Sequence, residues 1–356
     1  MDTSTYFFNV EAPVLGVLII ILACIFYAEK SNNNFLVKFF TYVPGLLLCY
    51  FVPSILNSLG LVSPDVSKNL YYVASRYLLP ASLVLLTLSI DLKSIINLGP
   101  KAIIMFLTGT IGILIGGPIS LLIASYFGLV PINPDDLWRG LTTVAGSWIG
   151  GGANQAAMKE MFDVDDQIFS SMITVDVIVA NVWMGFLLFG AGINQRVDKW
   201  LKADSSAIED LKNKLINYKK KNQRIPSLLD FMIILAIGFG ITGLAHFCSD
   251  IISPYIQSNF PYLEKFSLTS PFFWLIVIAT TGGLALSFTN FRKYEGAGAS
   301  TIGSVFLYVL VATIGMKMDA LAIFDNPGLF VLGFIWMLIH VILLLSVAKL
   351  IRAPFF

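Results

Sequence analysis

Two stretches of this sequence put residue types that do chemistry into apolar surroundings. The first is Asp176, in Met172-Ile173-Thr174-Val175-Asp176-Val177-Ile178-Val179-Ala180-Asn181, with no lysine or arginine within a turn or two. A charge at the middle of a membrane-spanning helix costs roughly 2.5–3.5 kcal/mol even on the lenient insertion scale, so such residues face a bundle interior and mark pathways. Its chemistry would be to bind sodium or to carry a proton; the plainer alternative is a protonated carboxyl capping a neighbouring helix. Asn181, five residues on, lies roughly 140° further around a helix, so the two need not share a ligand, and Thr174 can equally bond back to its own backbone.

The second stretch runs from Gly140 to Phe162 and carries Gly140, Gly146, Gly150, Gly151 and Gly152, with Ser147, Asn154 and Gln155 among them. Glycine inside a helix costs roughly 1 kcal/mol relative to alanine, so Gly150 to Gly152 should unwind the segment. In a bilayer, unwound backbone is tolerated only where it is buried in protein or lines a cavity, and glycine-interrupted apolar segments point to the binding sites of secondary transporters. Amides beyond the break would hold an anionic group and carbonyls before it a cation. The competing reading is a close helix crossing, where glycines let two backbones approach. Thr280-Thr281-Gly282-Gly283 offers a second polar lining with Thr281, or simply small residues for packing. Trp148 is a wall of the site or a packing residue. Arg76 either meets a substrate carboxylate or snorkels to the interface. Asp91 and Asp319, at span ends, read as solvated or capping residues. Asp135-Asp136 and Asp163-Val-Asp165-Asp166 read as solvated loops on opposite sides of the membrane, with a magnesium-diphosphate enzyme as the sharper alternative.

These residues need helices to position them. The chain has 356 residues, 56% apolar and 13% charged, with a mean hydropathy of +0.79. Soluble domains average about 25% charged, so with several apolar runs of spanning length the class is an all-α polytopic membrane protein. Cys24, Cys49 and Cys248 are scattered, and His246 and His340 are far apart, so neither a disulfide framework, a zinc site nor a Cys/His pair is indicated. The N-terminus up to Pro13 lacks a basic residue and no small-residue cleavage site follows, so the first span is read as retained. Candidate spans are 13–28, 35–59, 70–91, 98–127, 139–160, 168–194, 228–249, 271–291, 301–319 and 327–350. The organisation is a first transmembrane repeat (1–194), a basic loop (195–227) and a second repeat (228–356). By the positive-inside rule the loop faces the cytoplasm. Six spans precede it, which places the N-terminus there too, with 15 Lys/Arg inside against 7 outside, a difference owed to the loop.

Leu85-Leu86-Thr87-Leu88-Ser89-Ile90-Asp91-Leu92-Lys93-Ser94-Ile95 and Val311-Ala312-Thr313-Ile314-Gly315-Met316-Lys317-Met318-Asp319-Ala320-Leu321 look like copies of one another. Taken literally, the second unit stops at its fourth span, without a counterpart of the glycine-broken segment. Either the repeat is incomplete or the chain is about two spans shorter than a full-length relative. An offset of six spans would relate the copies in parallel, whereas an inverted repeat needs an odd offset.

With the Leu79-Pro-Ala-Ser-Leu83 run, the Ser89-Ile-Asp91-Leu-Lys93 and Ile314-Gly-Met-Lys-Met-Asp319 ends and the Gly146-Ser-Trp-Ile-Gly-Gly-Gly-Ala-Asn154 motif in view, residues 13–352 resemble the YjcL-like family of integral membrane proteins of bacteria and plant plastids. That family is itself similar to the group of cation/proton antiporters and bile-acid-type sodium symporters, whose members pair a scaffold with a moving core of crossed, discontinuous helices. The resemblance implies an elevator-like carrier, and family members that continue past this chain's end with a second glycine- and alanine-rich crossover. Homodimers are common among the related transporters.

The expectation is therefore a sodium- or proton-coupled secondary transporter of the inner (cytoplasmic) membrane, not an enzyme, carrying an amino acid, short peptide or organic anion. Ser147, Gly150, Gly151, Gly152, Asn154, Gln155, Asp176, Asn181 and Thr281 would bind substrate or ion. A bound sodium ion is the one cofactor admitted, and no protein-held metal is expected. The partners are the lipid bilayer, the solute or ion and a second copy in a homodimer, with nucleic acid not among them. The alternatives are a cation/proton antiporter, an intramembrane enzyme on a lipid or polyprenyl phosphate, and a non-transporting receptor.

Overall fold

The computed structural model describes residues 6–92, 99–129, 133–192, 224–318 and 326–353. Thirteen α-helices are present among them. They are α1 (Glu11–Glu29), α2 (Asn34–Tyr42), α3 (Gly45–Ser58), α4 (Pro64–Val73), α5 (Leu79–Leu88), α6 (Pro100–Tyr126), α7 (Pro134–Gly150), α8 (Gly152–Met161), α9 (Asp166–Gly192), α10 (Leu228–Asn259), α11 (Pro271–Ser287), α12 (Ala299–Gly315) and α13 (Gly328–Ile351). Six helices are long and apolar enough to cross a membrane. Two bent pairs, α2 with α3 and α11 with the 3₁₀ segment Asn290–Ala297, bring the number to eight; α12 is shorter but also apolar. The chain is an all-helical polytopic membrane protein. The basic loop as far as residue 223, Lys93 to Ile95, and Asp319 to Leu321 lie outside the described residues.

Local sequence sets the helix starts. Pro64, Pro100, Pro134 and Pro271 open their helices, where the missing N–H is an orphan in any case. Asn33, Ser63, Asn133 and Ser227 cap others by accepting a backbone N–H. Helices α4 and α5 form one continuous span, Pro64–Leu88, through a π-turn at Ala74–Leu78. Pro80 has no N–H for the carbonyl four residues back, that of Arg76. In lipid such a carbonyl needs another partner, and it bonds to His246 Nε2 of α10 at 2.8 Å.

Helix α5 is the hub of one half of the structure. It packs on α10, α11 and α12, and each brings a glycine to the contact. A Cβ on Gly283 of α11 would fall 2.5 Å from the Val84 carbonyl oxygen, and one on Gly303 of α12 would fall 3.0 Å from Leu85 Cβ. Such small residues let backbones meet where van der Waals contact, not hydrophobicity, holds helices together. The helices that carry the two look-alike passages thus pack antiparallel: Gly303 is level with Leu85, while Lys317, just past α12, covers the Tyr71 ring back along α4. A second apolar cluster joins α6, α7, α9 and α13, where the Trp336 indole donates to the Ile113 carbonyl at 2.8 Å.

Helices α7 and α8 do not make a crossing. They fold back on each other about Gly151: Met158 Cγ lies 2.8 Å from where a Cβ on Gly146 would be. Arg139 Nη1 on α7 donates to the Phe162 carbonyl just past α8 at 2.7 Å, and Trp138 meets Phe162 edge to face. The segment read as a fifth span is therefore a re-entrant hairpin whose two ends open on one side. This corrects the placement of the acidic runs on opposite sides, since Asp135 binds Arg139 at 3.0 Å, at the same end as Asp163 and Asp165.

The same geometry separates Phe8 from Arg224. Phe8 bonds to Leu61 and Ser63 at the start of the Pro64–Leu88 span. Arg224 bonds to Gly296, in the segment that Arg292 ties to Asp91 beyond the far end of that span at 2.8 Å. The two lie at opposite ends of the molecule. In a cysteine-free background, Asn9→Cys and Gln167→Cys should react with a membrane-impermeant maleimide from one side of the membrane and Ile225→Cys from the other. Labelling of Asn9→Cys and Ile225→Cys from the same side would refute the hairpin topology.

Candidate functional site

The site forms where the hairpin tip meets the middle of α9. Asp176 lies ten residues into α9, about 15 Å at 1.5 Å per residue, half of a hydrocarbon core of ~30 Å. Its side chain is 6% exposed. Both arms of the hairpin donate to it: Ser147 Oγ of α7 at 2.7 Å and Gln155 Nε2 of α8 at 3.0 Å, each to Oδ2. Among the described residues no hydrogen bond ends on Oδ1. The Trp148 indole N–H is also near the carboxylate, and no described group stands in bonding geometry with it.

The tip owes its shape to its glycines. Gly151 has φ 88° and ψ −176°, a region essentially confined to glycine. Its carbonyl accepts from the N–H groups of Asn154 and Gln155 at 3.0 and 3.1 Å, and its N–H donates to the Ser147 carbonyl at 2.7 Å, so one residue ends α7 and starts α8. The Asn154 amide lies over Gly150, in the space a Cβ there would fill. Gly152 faces α3, where its Cβ would come 3.8 Å from Leu46.

Ser147, Gly150, Gly151, Gly152, Asn154, Gln155 and Asp176 are thus brought together. Asn181 and Thr281 are not: the Asn181 amide bonds to the Val177 carbonyl and the Thr281 hydroxyl to Val277 and Ile278. Both are exposed and spend their polar groups one turn back on their own helix. Trp148 packs on Trp336, ring centroids 5.0 Å apart.

A cluster with no counterpart in the sequence reading closes the returning end of the hairpin. Glu160 accepts a short hydrogen bond from the Tyr71 hydroxyl and pairs with Arg76 at 3.2 Å. Lys159, 5% exposed, pairs with Asp166 at 2.7 Å, which also takes Lys317 at 2.9 Å. Arg76 therefore meets a protein carboxylate and does not snorkel alone, while Asp166 is an ion-pair centre and not a solvated loop residue. Asp165 caps α9, accepting the Gln167 N–H at 2.8 Å, and Asp91 is paired with Arg292. The adjacent Lys159-Glu160 pair inside an apolar segment was the available signal; Tyr50, fully buried against Phe169 of α9, left none.

Fold and site together define a polytopic helical membrane protein with a re-entrant, glycine-tipped hairpin built around a buried carboxylate. The chain belongs to the family described as "Protein of unknown function (DUF819)", whose family model matches residues 16–356. It is similar to the "Uncharacterized membrane protein YjcL" of Bacillus subtilis (strain 168), with 24% identity over 329 residues that cover 88% of this chain and 76% of that protein.

The tip geometry makes a graded prediction. Gly151→Ala forces a side chain into a region that costs it roughly 1–3 kcal/mol, whereas Gly152→Ala adds a methyl with only Leu46 in contact. Thermal unfolding in detergent should show Gly151→Ala several degrees below wild type and Gly152→Ala within about a degree. Equal losses would mean that the tip backbone is not as described.

Proposed function

We propose that the protein is a secondary carrier, coupled to sodium or protons, that moves a small organic solute past the hairpin tip. The observation that carries the reading is a mid-membrane aspartate whose hydrogen-bond donors among the described residues come from a re-entrant hairpin and leave one carboxylate oxygen for a cation or proton. A half-helix C-terminus and the N-terminus of the next, face to face at mid-depth, favour a cation and an anionic group respectively. No residue in this role needs a resident cofactor; a sodium ion would take Asp176 Oδ1 and, with it, carbonyls at the end of α7.

The two apolar clusters support elevator-like movement, with α6, α7 and α13 in one body and the helices around α5 in the other, and with α9 at the seam, giving Met172, Val175 and Val179 to the first and Phe169 and Ile173 to the second. The antiparallel lie of α5 and α12 supports an inverted repeat, for which a hairpin that does not cross supplies the odd offset. The positive-inside rule then places the loop's end in the cytoplasm, together with Lys30, Lys38, Lys101, Arg292, Lys293, Lys349 and Arg352, against Lys68, Arg139, Lys159 and Lys317 at the other. On this reading the N-terminus and the hairpin base face outwards.

In proteoliposomes with an imposed sodium or pH gradient, wild type should show cation flux that depends on one class among amino acids, dipeptides and carboxylates. Asp176→Asn should lower that flux at least tenfold. Cation exchange with no added solute would identify an antiporter instead. Absence of both, with turnover of a polyprenyl phosphate, would replace the carrier by an enzyme.

A further inference from the structure

We infer that the hairpin tip recognises a carboxylate on the transported solute, and that Tyr50 is one of the groups that bind it. This rests on the carrier reading and assigns it a substrate class. Tyr50 is 0% exposed, and its hydroxyl has no hydrogen-bond partner among the described residues. A buried polar group without a partner is costly, and native structures hold few of them. Leu46, one helical turn before Tyr50 on α3, is the side chain nearest to Gly152. The Tyr50 ring meets Phe169 of α9, centroids 6.4 Å apart. Tyr50 therefore sits one turn from the side chain that touches the tip, on the helix that flanks it.

The backbone supplies two more donors. The N–H groups of Gly152 and Ala153 open α8 and have no partner among the described residues, as expected of the first turn of a helix. Around Gly151 a Cβ would meet nothing within 4 Å, so the tip borders free space. The unpaired groups on the α8 side of the tip are a phenol and two amides, each able to donate, while the carbonyls that end α7 are left for the cation. The one charged acceptor, Asp176, already has Oδ2 filled by Ser147 and Gln155. What such a set lacks is an acceptor group of the ligand, and a helix N-terminus favours an anionic one.

Charge selects a carboxylate over a phosphate. Arg76, Lys159 and Lys317 are engaged with Glu160 and Asp166, so none of these three is left for a dianion. A singly charged anion beside Asp176 is matched by a single cation or proton on Asp176, because two uncompensated like charges do not share a buried site. Anion binding is thereby tied to cation binding, which is the coupling that a symporter requires.

The test is thermal unfolding of the purified full-length chain in detergent, titrated with acetate, L-lactate, L-alanine and ethylamine, with and without sodium and at pH 5.5 and 8. A ligand that binds only the native state raises the unfolding temperature by mass action. Stabilisation by the carboxylates, absent with ethylamine and weakened when both sodium and low pH are withdrawn, is the expected result. Response to acetate and L-lactate shows that the carboxylate suffices; response to L-alanine alone adds an ammonium requirement. Tyr50→Phe, which removes only the unpaired hydroxyl, should fold normally and bind the same carboxylate roughly tenfold more weakly. Asp176→Asn should keep carboxylate binding and lose its cation dependence. Sodium or proton stabilisation of wild type without any carboxylate response would overturn this inference and leave the carrier reading intact. Absence of both responses would overturn the two together, and unchanged affinity in Tyr50→Phe would remove Tyr50 from the site.

Discussion

A carboxylate at the middle of a spanning helix has to be solvated by the protein, and much of this structure follows from that requirement at Asp176. Its own helix can offer it little, because the backbone N–H groups of α9 are engaged in the helix. The donors therefore come from elsewhere, and they come as a pair, Ser147 and Gln155, on the two arms of one hairpin. Holding both arms at one oxygen requires the chain to reverse inside the membrane. The reversal requires a residue that tolerates φ 88° and ψ −176°, and it exposes backbone groups that must be satisfied locally or by a ligand. Gly151 meets the first requirement and its bonds to Ser147, Asn154 and Gln155 meet part of the second. The groups left over are the ones a ligand could meet.

The rest of the fold holds that hairpin at a fixed depth. At its base Arg139 closes the loop onto Phe162, and the ion pairs of Lys159 and Glu160 fasten the returning arm to α9, to the α4–α5 span and, through Lys317, to the end of α12. These contacts join elements of the two apolar clusters, so the returning arm is at once a wall of the site and a link between the two bodies. Buried ion pairs are poor sources of net stability, and breaking one costs more than replacing the pair. Their value here is positional, since they fix which way α8 runs.

The membrane class, the approximate helix positions, Asp176 and the glycine-broken motif were all legible in the sequence, each for a local reason. Apolar run length, the cost of an unpaired intramembrane charge and the backbone freedom of Gly151 are properties of single residues and their immediate neighbours. Composition likewise marked the Lys/Arg-rich segment. Side-chain reach was not legible: nothing in a one-dimensional pattern told that Asn181 and Thr281 would turn back on their own helices, or that Arg76 would find Glu160 across 84 positions.

The largest departure concerned topology, and it came from a single segment. Residues 139–160 have the length and apolar character of a crossing, so the sequence by itself determined that a broken helix lies there and which polar residues flank the break. Whether the second arm continues across the membrane or returns depends on the backbone angles at one glycine and on contacts of Arg139 and Lys159 with partners distant in space. Only the tertiary structure could decide that, because burial and hydrogen bonding of the returning arm are set by α5 and α11 packed against it and by the bonds of Gln155 and Lys159 to α9. That one decision put Phe8 and Arg224 at opposite ends, brought the two acidic runs to one end and aimed both arms of the hairpin at Asp176.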